Sequence, residues 1–169
     1  MQMSHAVYYG FFSIYMEQAK YSKLWVSVFF DIGVVAEIAV LYFATPLVRR
    51  FGAERLLAFS LFMAALRWAI YANTTWLPVV LVTQTFHAFT FGTFYIGALS
   101  LIHREFPESL KNSGQGLYAT ASWGAGGFIG LLTAGALFDK NPTLAFWASA
   151  GVALTGGVVA LALHPKRKS

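Results

Sequence analysis

The chain has 169 residues and a net charge of +5, with 57% hydrophobic, 17% aromatic and only 11% charged residues, where soluble domains carry about 25% charged. This is the composition of an integral membrane protein, and its length holds about six helices of roughly 20 residues with no large soluble domain besides. With no Cys there is no disulfide framework or thiolate metal site, and a basic balance without a nucleic-acid module reads as membrane topology, not nucleic-acid affinity.

Breaks at charge, Pro and Asn clusters divide the chain into apolar segments near 3–19, 24–47, 55–73, 77–102, 113–138 and 143–163. Each runs near-continuously apolar for more than about 15 residues, where barrel strands alternate over about 10. The expected fold is therefore all-α, with six transmembrane helices in a single domain over 1–169.

The first segment begins almost at Met1 without a polar leader, so a cleavable signal peptide is not expected, and it reads as a helix cut near its start. Along it His5, Tyr8, Tyr9, Phe12 and Tyr15 recur at near-helical spacing, either as a cavity wall with stacking surface and hydroxyls or as aromatics facing lipid and neighbouring helices. The second segment carries Glu37 near mid-membrane, on a face shared with Gly33, Leu41 and Ala44. An unpaired carboxylate there costs several kcal/mol by rough estimate, so Glu37 is either a protonatable or ligand-binding group or one half of a structural ion pair. Asp31 falls on another face, nearer the end.

The third segment places Arg67 with Ser60, Met63, Ala64 and Tyr71, and its forked donors suit Glu37 or an anionic substrate. In the fourth, Thr83, Gln84, His87 and Thr90 form a polar stripe, which implies one wet or paired face, and the titration range of His87 suits proton coupling. The fifth is rich in Gly, with Gly126 and Gly130 in GxxxG spacing, a pattern that first of all permits close helix packing. The sixth opens at Asn141-Pro142, an N-cap followed by Pro at the first helical position. Trp25, Trp76 and Trp147 fall near one set of helix ends, as interfacial anchors do.

If all six segments cross, one face collects Arg49, Arg50, Arg55, Arg104, Lys111, Lys166, Arg167 and Lys168, while the other has only Lys20, Lys23 and Lys140. The positive-inside rule then places both termini in the cytoplasm of a cell whose inner membrane the chain spans. No HExxH, G-x-S-x-G, phosphate-binding loop or metal-ligand spacing is present, so no enzyme activity, cofactor or metal is expected.

The stretch Ala44-Thr45-Pro46-Leu47-Val48-Arg49-Arg50-Phe51-Gly52-Ala53-Glu54-Arg55 resembles the basic loop between the second and third helices in each half of major facilitator superfamily transporters. The longer run of Glu37, Arg67 in Ala65-Leu66-Arg67-Trp68, His87 in Thr85-Phe86-His87-Ala88-Phe89, and Ser113-Gly114-Gln115-Gly116-Leu117-Tyr118 is similar to the C-terminal half of the lactose-permease-like branch. With Ser4-His5-Ala6-Val7-Tyr8-Tyr9 it is similar above all to the 3-phenylpropionate transporter group. The resemblance covers nearly the whole chain and implies a half-bundle corresponding to the seventh through twelfth helices of a symporter, with Glu37, Arg67 and His87 in its coupling and substrate network. Two positions depart from that branch: Thr90 stands where it has a carboxylate and Gln84 where it has a Lys, so a galactoside substrate is not implied.

The expected function is thus the C-terminal half of a proton-coupled carrier of a small organic solute such as an aromatic carboxylate. Glu37 and His87 are the candidate proton-coupling residues, and Arg67, His5, Tyr8, Gln84 and Thr90 the candidate substrate-binding ones. Its expected partners are the solute, protons, the lipid bilayer and either an N-terminal six-helix half or a second copy, with no nucleic acid. The rival reading is a membrane scaffold or assembly subunit in which the same charged groups form a structural network.

Overall fold

The computed structural model describes residues 1–162 as a bundle of helices; residue 163 of the last expected span and the basic residues Lys166, Arg167 and Lys168 lie outside the described residues. The helices are α1 (Gln2–Gln18), α2 (Lys23–Tyr42), α3 (Ala44–Phe51), α4 (Ala53–Asn73), α5 (Leu77–His87), α6 (Thr93–Glu105), α7 (Lys111–Ala119), α8 (Gly127–Phe138) and α9 (Pro142–Ala162). A π-helical segment, Ala88–Gly92, joins α5 to α6, and a second, Thr120–Gly126, joins α7 to α8. Counting through these joints, five helical runs are long and apolar enough to cross a membrane: α2, α4, Leu77–Glu105, Glu108–Phe138 and α9. The sixth long helix is α1, with 17 residues and a more polar sequence.

Local chemistry explains the ends. The Ser22 hydroxyl accepts the Trp25 N–H at 3.4 Å and opens α2, and the Asn141 side chain accepts the Thr143 N–H at 2.9 Å with Pro142 in the first turn of α9. The expected second span, 24–47, is too long: α2 stops at Tyr42 and residues 44–51 form a separate short helix, α3. Pro46 is the reason, because its ring would collide with the Tyr42 carbonyl if the helix continued, whereas in the first turn of a new helix its missing N–H costs nothing. The basic stretch expected as a loop is therefore partly helical, with Arg49 and Arg50 in its last turn. Gly52, at φ 81°, makes the left-handed turn from α3 into α4.

Lipid offers no hydrophobic drive for helix association, so small residues that let backbones approach decide the packing. Gly130 lies so close to α1 that an added Cβ would meet the Met3 carbonyl oxygen at 2.5 Å, and Gly126 faces Met3 as well. Gly157 of α9 receives the Phe62 ring of α4 at 3.0 Å from the same imaginary carbon. Within this frame Phe12, Met16, Phe29, Trp68, Tyr71, Phe146 and Ala153 form a dry core. Its upper edge, where α1, α2, α4 and α5 converge, holds the polar residues described next.

Candidate functional site

Four helices carry the ionisable groups to one place. Gly33 marks the contact on α2, where a Cβ would meet His87 and Gln84 at ordinary van der Waals distances of 3.4 and 3.6 Å. One turn on, Glu37 reaches His87 across the α2–α5 contact, with its Oε2 3.3 Å from Nε2. From α4, Arg67 places one guanidinium nitrogen 3.0 Å from His87 Nδ1 and 3.4 Å from Thr90 Oγ1, and the other 3.0 Å from Gln84 Oε1. From α1, the Tyr8 hydroxyl donates to the same Gln84 oxygen at 2.9 Å, and His5 Nε2 lies 3.3 Å from Thr90 Oγ1. All seven residues singled out from sequence thus belong to one connected set.

The donors fix its protonation pattern. A guanidinium only donates, so His87 Nδ1 accepts, the proton of the neutral ring sits on Nε2, and that N–H points at the Glu37 carboxylate. A second proton on His87 would face the guanidinium. Gln84 Oε1 takes both the Tyr8 and Arg67 donors, which fixes the orientation of its amide. Because the Met1 carbonyl only accepts, His5 Nδ1, 3.3 Å from it, carries the proton, while the single Thr90 hydroxyl proton has two acceptors in reach, His5 Nε2 and the His87 carbonyl, each at 3.3 Å.

Of the two partners the sequence offers Arg67, Glu37 or an anionic substrate, Glu37 is not in direct contact: His87 stands between them, and among the described residues no carboxylate lies within ion-pair distance of Arg67. The guanidinium lies instead over the Tyr8 ring at 4.3 Å and beside Trp68 at 4.9 Å, where the negative faces of the rings offset part of its buried charge. Its Nε and the Gln84 Nε2 have no hydrogen-bond partner.

Burial orders the set from inside out. Arg67, His5, Gln84 and Thr90 are fully buried and Tyr8 nearly so, so none of the five presents a surface in this conformation. His87 is 7% and Glu37 18% exposed by side chain, which makes the carboxylate the open end of the chain of contacts. Asp31 is exposed and apart, and Phe12 and Tyr15 belong to the dry core, Tyr15 donating to the Tyr71 carbonyl at 2.9 Å. An apolar groove of about 460 Å³ beside α3, lined by Val40, Phe59 and Phe89 among others, touches none of the networked groups.

Sequence reasoning missed the rings around the open end: Phe91 stacks on His87 at 5.5 Å, and Trp123 reaches Phe91 at 5.8 Å and Tyr9 at 6.1 Å. It also missed both π segments. In the first, the Thr93 N–H bonds to Ala88, five residues back, and the Thr93 hydroxyl donates to the Phe89 carbonyl at 2.5 Å, the acceptor its own N–H would take in a regular helix. The only trace of these in sequence is the crowding of Gly and Thr in Ala88–Gly92 and Thr120–Gly126.

A model of the MFS_1-like family matches residues 1–148. Among curated proteins, a probable 3-phenylpropionic acid transporter of Escherichia coli strain K12 is 34% identical over 98% of this chain and 42% of its own length. An uncharacterised transporter, YwbF, of Bacillus subtilis strain 168 is 23% identical over 87% of the chain and 37% of its own length. A maltose permease of Geobacillus stearothermophilus is 29% identical over 74% and 32% respectively. No solved structure matches the chain. The chain spans less than half the length of these relatives. Family match, relatives and membrane-length helices agree, and the chain belongs to the MFS_1-like family of the major facilitator superfamily, as a multi-pass membrane protein.

Proposed function

We propose that this chain is the C-terminal six-helix half of a proton-coupled symporter for a small organic anion such as an aromatic carboxylate, and that it works against an N-terminal six-helix half or a second copy. The single observation that carries the reading is the relay in which His87 joins a carboxylate at the open edge to a fully buried guanidinium. With Glu37 ionised, the two charges balance through the ring. When Glu37 takes a proton, Arg67 is left uncompensated and the site favours an anion, so proton and solute bind together. Charges roughly 8 Å apart interact by about 2 kcal/mol at an effective dielectric of about 20, enough for a coupling of roughly thirtyfold. His87 serves as the orienting relay and Glu37 as the group that gains and loses the proton.

The relative named as a probable 3-phenylpropionic acid transporter supports an aromatic acid. The partner surface has support in the wide apolar faces of α2 and of the α7–α8 run, where Val35, Ile38, Tyr42, Leu117, Phe128 and Leu132 are exposed. Transport then consists of rocking the two bundles around a central site, with both termini of this half in the cytoplasm, as the distribution of Lys and Arg favours.

The test is solute-driven proton uptake in membrane vesicles from cells expressing the complete reading frame that contains this chain. Addition of 3-phenylpropanoate should alkalinise the outer medium, and Glu37→Gln should abolish that signal. An unchanged signal in Glu37→Gln refutes the coupling role. The scaffold reading is favoured by one observation, the complete burial of Arg67, and predicts no proton movement with any solute.

A further inference from the structure

We propose that Tyr9, Phe91 and Trp123 form a ring-stacking subsite that selects a flat aromatic ring, a specificity element resting on the transport reading above. The rings close a cycle. His87, Phe91 and Tyr95 stand one helical turn apart in parallel, with centroids at 5.5 and 6.3 Å and an angle of 5° between both pairs of planes. Trp123 meets the middle ring at 5.8 Å and 64°, Tyr9 meets Trp123 at 6.1 Å, and Tyr9 stands edge-on to His87 at 6.4 Å and 87°.

Three features separate this cluster from the aromatic core below it. First, it is open: Trp123 is 50% and Tyr9 44% exposed, whereas the core rings Phe12, Tyr71 and Phe146 are fully buried. Second, its floor is His87, the residue that joins Glu37 to Arg67, so a ring laid on the exposed faces of Tyr9 and Trp123 leaves an attached carboxylate beside the one polar edge the network exposes. Third, Phe91 and Trp123 each lie within a π-helical segment, Ala88–Gly92 and Thr120–Gly126, and these are the two π segments among the described residues. A π turn is rare and is found frequently at functional sites. Here two such turns, on different helical runs, bring their large rings into contact with each other.

The pairing preference of aromatic rings supplies the selectivity. Offset-stacked and edge-to-face contacts need a π face, so a planar ring gains from Tyr9 and Trp123 what a saturated ring of the same bulk does not. Trp123, the most exposed of the set, is the residue whose loss should tell most.

The experiment measures binding of 3-phenylpropanoate and of its saturated counterpart, 3-cyclohexylpropanoate, to the product of the complete reading frame that contains this chain, in lipid nanodiscs, with melting temperature followed in parallel. The wild type should prefer the phenyl acid. Trp123→Leu should weaken phenyl-acid binding about tenfold while changing the cyclohexyl acid less than about twofold, with an unchanged melting temperature. Phe91→Leu should do the same. Trp123→Phe, which keeps a ring, should retain the preference but lose the ligand-induced change in tryptophan emission. Wild-type affinity for the phenyl acid in both leucine variants overturns the subsite and leaves the transport reading standing. Equal loss of both acids with a lowered melting temperature shows a merely structural aromatic cluster and also overturns it. Failure of the wild type to bind either acid removes the aromatic carboxylate from the transport reading, and the subsite with it.

Discussion

Glu37→Gln isolates the charge at the open end of the relay while keeping its shape. Glutamine is nearly isosteric, and its carbonyl oxygen accepts from His87 Nε2 as the carboxylate does at 3.3 Å, so the hydrogen-bond pattern Arg67–His87–Gln is preserved. What disappears is one negative charge lying roughly 8 Å from the guanidinium through the imidazole. At an effective dielectric of about 20 that charge is worth about 2 kcal/mol, or about thirtyfold in anion affinity. The variant is permanently neutral at this position. Its affinity for an aromatic carboxylate at neutral pH should rise by up to about thirtyfold. Isothermal titration with 3-phenylpropanoate of the product of the complete reading frame in nanodiscs measures it, and an unchanged melting temperature shows that the relay still packs. A variant that binds the anion no more tightly than the wild type refutes the electrostatic argument.

Arg67→Lys should be poorly tolerated, since one ammonium cannot reproduce the fork that reaches His87 and Gln84 at 3.0 Å each; a loss of about 1–3 kcal/mol in stability and at least about tenfold in anion affinity is expected, read by thermal melting and titration. Gly130→Ala should destabilise by about 1–3 kcal/mol, because the new methyl meets the Met3 backbone of α1 at 2.5 to 2.7 Å, and thermal melting in detergent measures it. Thr93→Val removes the hydroxyl that satisfies the Phe89 carbonyl in the first π turn. The expected cost is about 1 kcal/mol, with faster hydrogen exchange confined to residues 88–93.

The ionisable residues were legible because the membrane leaves few places for a charge. Glu37, Arg67 and His87 interrupt apolar stretches of bilayer-crossing length, and the cost of stranding any of them implies that they meet. Helical identity followed in the same way from backbone hydrogen bonding, which must be met within each segment in hydrocarbon. The short helix α3 was misread as the end of a span and a loop, because hydropathy averages over the Pro46 break that divides it from α2.

Composition, spacing and charge asymmetry thus determined by themselves a multi-helix membrane chain with a polar patch drawn from four segments, since those properties depend only on what a lipid environment permits along one helix at a time. Only the tertiary structure decided that His87 stands between Glu37 and Arg67, that the guanidinium is sealed while the carboxylate keeps an open edge, and that Phe91 meets Trp123. Those outcomes turn on how α2 packs against α5 around Gly33, and on shifts of hydrogen-bond register in two π turns. Such differences belong to the contact between helices, and no single segment encodes them.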